Sequence, residues 1–417
     1  MKYLDYQHMN KNTKNLVPKL RFPEFVNDGN WKEKILGDVT KNFSNRNKKG
    51  IKLPIYSINN KKGFVPQNEQ FEGMNSSDRG YDISLYKIIE RNTFAYNPAR
   101  IDVGSIGFSG ELHNIIISSL YVCFTVSEEV NNNFLLHFFD TFYFTKAVRN
   151  SVEGGIRNYL FYENFSKISV YFPNKNEQKK IANFLSSLDK VIASQNDRLE
   201  EIKAHKKGLI QNLFSTEVKT EPKYRFSEFK KNGEWDFKNG NILFEPISNK
   251  NHNSDLSILA VTQEHGAIPR EKINYNVVVT DKSVESYKIV EIGDFIISLR
   301  SFQGGIEYSN YKGICSPAYI ILRKKNNKDN DEFYKHYFKS EFFIRDLNRN
   351  IEGIRDGKMV SYNQFSEILI PNPEPDEQKK IAECLSSLDN KIEAESKKLD
   401  ALIDQKKGLL QGLFPKI

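Results

Sequence analysis

The chain has 417 residues, 39% of them hydrophobic and 27% charged, with a formal net charge of +8 at pH 7. That is the balance of a soluble globular protein with room for two or three cores, and the excess of base favours a polyanionic partner. No apolar run approaches the roughly 18–20 residues of a membrane span, the basic N-terminus has no apolar signal core, and the three cysteines (Cys123, Cys315, Cys384) lie in no ligand spacing, which predicts reduced thiols in a cytoplasmic protein.

In chain order the first landmark is PKLRFPEF, residues 18–25, followed by Gly29, Asn30 and Trp31. YSINNKKGFVPQ, residues 56–67, reads as two short strands around a polar turn, and Tyr86-Lys87-Ile88-Ile89 as another strand. A β-rich run follows over residues 114–126, then one helical stretch over about 132–152. Gly155-Ile156-Arg157 and then Tyr162, Phe165, Ser166 and Ile168 lead to EQKKIANFLSSLDKVIASQNDRLEEIKAHKKGLIQNLF, residues 177–214. The whole series then returns in the same order. PKYRFSEF (222–229) precedes Gly233 and Trp235, and LAVTQEHGAIPR (259–270) precedes Tyr287-Lys288-Ile289-Val290. A β-rich run at 316–325 and a helical stretch at about 331–351 lead to Gly353-Ile354-Arg355, then to Tyr362, Phe365, Ser366 and Ile368. The closing copy, EQKKIAECLSSLDNKIEAESKKLDALIDQKKGLLQGLF (377–414), matches the first at about half its positions without a gap. One α+β module plus one long helix therefore occurs twice.

Both closing segments carry apolar residues in strict 4-3 alternation. They are Ile181, Leu185, Leu188, Ile192, Leu199, Ile202, Leu209 and Leu213 in the first, and Ile381, Leu385, Leu388, Ile392, Leu399, Leu402, Leu409 and Leu413 in the second. Two matched a/d seams predict a helix pair. Gln195 and Lys206 interrupt the first seam, Glu395 and Lys406 the second. A parallel pair would stack Lys206 on Lys406, so antiparallel packing is expected, with Lys206 meeting Glu395 and Gln195 meeting Lys406. In that register Ile181, Leu185, Ile381 and Leu385 overhang and pack on their own modules. The paired span is then about 38 Å, close to the ~34–36 Å of one DNA turn. Off the seam, Phe184, Val191, Ile210, Phe214, Leu410 and Phe414 form a candidate docking stripe for partner subunits.

Catalytic machinery is hard to find. No GxxxxGK[ST] phosphate loop is present, and GSIGFSG (104–110) lacks the context of a dinucleotide site and reads as turn chemistry. Asn97-Pro98-Ala99-Arg100 lacks the second proline and the aromatic with which adenine methyltransferases clamp a flipped base. In Pro375-Asp376-Glu377-Gln378-Lys379 the acidic pair and lysine are contiguous, unlike a nuclease site, and His137 and His336 read as satisfied core histidines. Polar turns suit recognition instead. Asn59, Asn60, Lys61 and Lys62 occupy the first module's turn, and Thr262, Gln263, Glu264 and His265 its twin in the second. Arg100 in one module, and Arg300 with Gln303 in the other, lie on a second glycine-flanked loop, while Arg157 and Arg355 follow glycines. Asn and Gln read adenine edges, Arg reads guanine, and Lys holds phosphates.

Two half-related modules, each opened by PKLRFPEF…W and closed by EQKKIA…LSSLD…KKGLLQGLF, resemble the specificity subunit of type I restriction-modification systems over nearly the whole chain. The resemblance implies an α+β architecture: two homologous target recognition domains separated by two long antiparallel coiled-coil helices in a pseudo-twofold internal repeat. The expected boundaries are 1–175 and 216–375 for the recognition domains, with 176–215 and 376–417 for the spacer helices. It implies a non-enzymatic chain in which each domain reads one half of a bipartite site on double-stranded DNA. It also implies helices that dock two adenine-N6 methyltransferase (modification) subunits, which restriction (translocase-nuclease) subunits join. The chain itself would need no cofactor, with S-adenosylmethionine, ATP and Mg²⁺ belonging to those partners. Two competing readings are a stand-alone two-domain DNA-binding regulator and a coiled-coil adaptor for proteins, the second of which the basic charge disfavours.

Overall fold

The computed structural model describes residues 16–70, 73–151, 159–216, 220–253, 255–273, 284–349 and 360–416. The chain divides into two compact units, residues 1–196 with 398–417, and residues 197–397. Each unit contains one module and a segment of each long helix.

Among the described residues the first unit has ten strands: β1 (Lys32–Ile35), β2 (Thr40–Phe43), β3 (Ile55–Asn59), β4 (Gly63–Pro66), β5 (Lys87–Ile89), β6 (Phe94–Tyr96), β7 (Ile106–Phe108), β8 (Ile115–Ile117), β9 (Val122–Val126) and β10 (Ser169–Phe172). They form two four-stranded sheets, ordered β2-β9-β6-β7 and β4-β3-β8-β5, and a β1–β10 pair. Only β3 and β8 run parallel. The β-rich run at 114–126 is thus two strands, β8 in one sheet and β9 in the other, split by a turn at Ser118–Tyr121. GSIGFSG is also more than a turn. Its centre is β7, and Gly107 lies so close to Gly63 that a Cβ there would stand 3.1 Å from the Gly63 Cα.

The second unit repeats this frame with β11 (Phe237–Asn239), β12 (Phe244–Ile247), β13 (Leu259–Thr262), β14 (Gly266–Pro269), β15 (Lys288–Val290), β16 (Phe295–Ile297), β17 (Glu307–Tyr308), β18 (Gly313–Cys315), β19 (Ile320–Lys324) and β20 (Leu369–Pro371). The sheet β12-β19-β16-β17 matches the first unit's β2-β9-β6-β7 sheet, and β11 pairs with β20 as β1 does with β10. The pairs β13–β14 and β15–β18 meet through a parallel bridge, Ile258 to Ile314, where β3 and β8 form a short parallel ladder.

Where the sequence suggested one helix per module the structure has two: Asn132–Phe139 then Phe142–Ser151, and Asp331–Tyr337 then Glu341–Arg349. A hydroxyl makes each break. Thr141 Oγ1 accepts from the Phe144 amide and Ser340 Oγ from the Phe343 amide, both at 3.2 Å, which caps a new helix start.

The two long helices, Lys175–Leu213 and Pro375–Leu413, have 39 residues each. Each core takes the start of one and the end of the other. In the first unit Trp31, Phe94, Phe124, Phe134 and Phe165 pack with Ile181 and Leu185 and also with Leu410, Leu413 and Phe414. In the second, Trp235, Phe244, Phe295, Phe333 and Phe365 pack with Ile381 and Leu385 and with Leu213 and Phe214. The expected docking stripe is corrected by this packing. Phe214, Leu410 and Phe414 are buried at 5% exposure or less, and Ile210 lies against the second core, whereas Phe184 (40%) and Val191 (51%) face solvent.

The PKLRFPEF…GNW motif fastens each module to its helix. Arg21 donates to both Glu177 carboxylate oxygens at 2.8 and 2.7 Å and to the Gly29 carbonyl at 2.7 Å. Arg225 grips Glu377 at 2.8 and 2.8 Å and also reaches the Gly233 carbonyl. Gly29 and Gly233 sit at φ +74° and +76°, left-handed backbone that glycine adopts without strain. The neighbouring amide Gln178 is also buried: its side chain accepts from the Asn131 amide at 2.9 Å and donates to the Pro173 carbonyl at 3.1 Å. Gln378 does the same with Asn330 and Pro373. Removing one partner of a buried bidentate pair strands the other charge, so Glu377→Ala should destabilise the second unit by about 3–5 kcal/mol, read as a shift in urea midpoint. Combining it with Arg225→Met should recover much of that loss. Equal losses in the single and double variants would contradict the account.

Candidate nucleic-acid interface

The turn between β3 and β4 is built by Asn59, whose side-chain oxygen accepts from the Lys61 and Lys62 amides at 2.8 and 3.1 Å. Its twin between β13 and β14 uses Thr262, whose hydroxyl accepts from the His265 amide at 3.0 Å and donates to the Gly266 carbonyl at 3.3 Å. Gly63 and Gly266 close the two turns at φ +65° and +67°. Asn59 and Thr262 therefore hold the turns, and Asn60, Lys61 and Lys62, with Gln263, Glu264 and His265, are the exposed residues at the tips.

In each unit a second loop lies beside that tip. Ser105 donates to the Ile58 carbonyl at 3.2 Å, and a Cβ on Gly104 would lie 3.3 Å from the Asn60 carbonyl oxygen, so the segment bearing exposed Arg100 flanks the first tip. Gln263 donates to the Arg300 carbonyl at 3.3 Å and packs on Gly304, which brings Arg300 and Gln303 beside the second. Two predicted loops thus converge in each unit. Arg157 and Arg355 lie outside the described residues.

The helix seam is antiparallel in both units, but its register differs from the expected one. In the second unit Arg198 pairs with Glu395 at 2.8 Å and Lys206 with Asp389; in the first, Lys406 pairs with Asp189 at 2.7 Å and with Asp140 at 3.2 Å. The partner of Lys206 is therefore Asp389, where Glu395 was expected, and those of Lys406 are Asp189 and Asp140, where Gln195 was expected. The helices are slid by about one heptad. A seven-residue slide leaves apolar layers opposite apolar layers, so the polar partners decide the register. Asp189 and Asp389, next to the seam, are those partners. The slide also brings Leu409 and Leu413 into the core around Ile181 and Leu185, which consequently do not overhang. Leu185, Leu199, Leu213 and Leu413 are buried, whereas Leu188, Ile192, Ile202, Leu209, Leu388, Ile392, Leu399, Leu402 and Leu409 are half-buried along the seam.

The same aspartates face the module histidines. His137 and His336 Nε2 lie 3.2 Å from the Ser186 and Ser386 hydroxyls, and their Nδ1 atoms lie 3.8 Å from Asp189 and Asp389. Burial pushes His336 down to about 3, with Lys206 and Lys335 adding to the effect. Burial lowers His137 as well, against the pull of Asp189. Burial works to lower Lys406 too, but Asp140 and Asp189 outweigh it and leave its pKa raised. Sequence reasoning missed this network. Its signal was the identity of Ser186, Asp189 and His137 with Ser386, Asp389 and His336 between copies whose loops differ. Cys123 and Cys315 are buried free thiols, each pushed up to about 12 by desolvation. Among the described residues no three His, Cys, Asp or Glu side chains converge as a metal ion would need, and no helix is long and apolar enough to cross a membrane.

Repeated scaffolds that hold unlike polar tips at matching positions, strung on paired helices, define a tandem recognition protein. The chain belongs to the type I restriction modification DNA specificity domain family, whose model matches residues 28–204 and again 216–403. It is similar to the type I restriction enzyme MjaVIII specificity subunit of Methanocaldococcus jannaschii, 28% identical over 269 residues, which are 60% of this chain and 62% of that one. The chain spans about three-fifths of the length of the curated relatives it matches. Among solved structures it is similar to the S subunit of a type I restriction-modification system from M. genitalium, at 17% identity and a TM-score of 0.57, covering 96% of this chain and 100% of that one. A chain from a structure of the type I R-M system, 14% identical with a TM-score of 0.55, matches over 93% of this chain and 98% of its own length. At these identities the two structures establish the fold.

The buried histidines give a pH dependence with a definite sign. An unfolded imidazole takes up a proton near pH 6.5, whereas folded His336 resists protonation down to about 3. The unfolded state therefore binds more protons in that window, and stability falls as pH drops through it. His336→Asn keeps a polar group beside Ser386 without a titrating ring. Its urea midpoints should show a flatter pH dependence than the parent between those limits, and an unchanged slope would remove His336 as the cause.

Proposed function

We propose that this chain is the sequence-specific DNA-binding specificity subunit of a type I restriction-modification complex and has no catalytic activity of its own. One fold occurs twice, on the same anchors, with Asn60-Lys61-Lys62 at one tip and Gln263-Glu264-His265 at the other. That contrast carries the reading, because two frames of equal shape and unequal chemistry suit the two unlike halves of a bipartite site. In this reading each module reads one half-site on double-stranded DNA, and the long helices dock two adenine-N6 methyltransferase subunits, with the exposed Phe184 and Val191 among the contacts. Restriction subunits join that assembly in the cytoplasm. S-adenosylmethionine, ATP and Mg²⁺ are then held by the partner subunits.

Co-expression with the cognate modification subunit, followed by genome-wide mapping of N6-methyladenine, tests this directly. A new bipartite methylated motif is expected, and its absence would leave a stand-alone DNA-binding regulator as the better account. Exchanging residues 40–160 for those of a relative should alter one half of the motif and spare the other. Changes in both halves would refute independent reading.

Lys61 and Lys62 should contact phosphate. Replacing both by Ala should weaken DNA binding about equally on all sequences and reduce the slope of log K against log salt by about 2. A loss confined to one sequence would instead make them base readers.

A further inference from the structure

Each unit carries a cleft built on one plan. In the first the floor is β3 at Ser57, and the wall is the turn Ser118–Tyr121 between β8 and β9. In the second the floor is β13 at Leu259 and Ala260, and the wall is the turn between β18 and β19 at Ser316 and Tyr319. A lysine at the start of the neighbouring strand fixes each wall. Lys87 donates to the Tyr121 carbonyl at 2.5 Å, and Lys288 donates to the Tyr319 carbonyl at 2.7 Å.

The frame is shared and the lining is not. The first cleft, of about 400 Å³, presents Arg79, Tyr81 and Leu120, of which Tyr81 is 61% and Leu120 78% exposed. The second, of about 600 Å³, presents Gln263, Arg270 and Arg300, and is continuous with the tip through Gln263 and Arg300. Arg270 is held at its backbone, where its amide donates to the Ile258 carbonyl at 3.0 Å. Its Nε–H is buried and has no hydrogen-bond partner among the described residues. A guanidinium fork matches the paired O6 and N7 acceptors of guanine in the major groove, and an exposed leucine and tyrosine suit the thymine methyl.

We propose that these two clefts are base-edge subsites, and that Arg270 reads a guanine in the half-site of the second module. The proposal rests on the DNA-recognition reading above and adds the residues that set the sequence. A fixed scaffold lined by unlike side chains is what two different half-sites require, and Arg270 brings a guanidinium to the lining of the second cleft.

The test uses the complex of the full chain with its cognate modification subunit and reads the methylated motif genome-wide. Arg270→Ala should relax one position of one half-site, with roughly tenfold or greater loss of discrimination there, and leave the other half unchanged. Arg270→Lys should relax the same position, since it keeps the charge and loses the fork. Where Arg270→Ala fails to yield complex, Arg270→Gln decides by the same readout. In the first module Leu120→Asp should change only the opposite half-site. An unaltered motif, or a weakening equal at all sites in the assembled complex, would overturn the cleft while the DNA reading stands. A parent chain that yields no motif at all would remove both.

Discussion

Each module hangs on a guanidinium taken out of water. Arg21 and Glu177 have side chains 6% and 0% exposed, and Arg225 and Glu377 8% and 1%. Charges so buried persist only when paired in good geometry with their remaining donors satisfied, and here the fork is bidentate and a glycine carbonyl takes a further N–H. The pair closes a circuit. It sets the entry segment on the first turn of the long helix, which points Trp31 into the core against Phe134 and Phe414. Trp31 leads to β1, β1 pairs with β10, and β10 runs through Pro173 back into the same helix. The loops that present polar tips are insertions in that circuit. They can change in chemistry without disturbing it.

Apolar and polar residues divide the work along the helices. The heptads make the helices pair, but a repeat of seven is blind to a slide of seven. Lys206 with Asp389 and Lys406 with Asp189 remove that ambiguity, and the histidine and serine beside each aspartate connect the choice to the module core. The same residues explain why EQKK, LSSLD and KKG stand out in both copies. Glu177 and Gln178 anchor the module, Ser186 and Asp189 meet His137, and Lys206 meets an aspartate of the opposite helix.

The duplication, the two long helices and the antiparallel seam could all be read from matched spacing, whereas the approach of the Arg100 loop to the Asn59–Lys62 turn appears only in the structure. The register could not, because the deciding aspartates stand one step off the seam and their histidine partners come from another part of the chain. Phe214, Leu410 and Phe414 looked like a docking stripe because periodicity shows which side of a helix is apolar, not what covers it. Asn59 and Thr262 looked like base readers, but their oxygens are already used inside the turn. The clefts left no linear signature, since Ser57, Arg79 and Tyr121, or Leu259, Arg300 and Tyr319, come from three separate segments with no common period.

One feature of the packing governs the order in which the protein can be made. The last turn of the second helix is a wall of the first module: the Leu20 amide donates to the Gly412 carbonyl at 2.8 Å, and a Cβ on Gly412 would lie 2.5 Å from the Leu20 side chain, so a larger residue there would push that side chain aside. During synthesis, residues 16–196 emerge long before residues 398–417, and the aromatic face around Trp31, Phe134 and Phe138 waits uncovered for that interval. Tyr224 makes the same contact with the Asn212 carbonyl at 2.8 Å, yet those residues are near neighbours and leave the ribosome together. The second module can therefore close as soon as it is complete. The first stays open until residues 398–417 have been made, and in that interval its uncovered face is the part of the protein most exposed to misassembly and to chaperones.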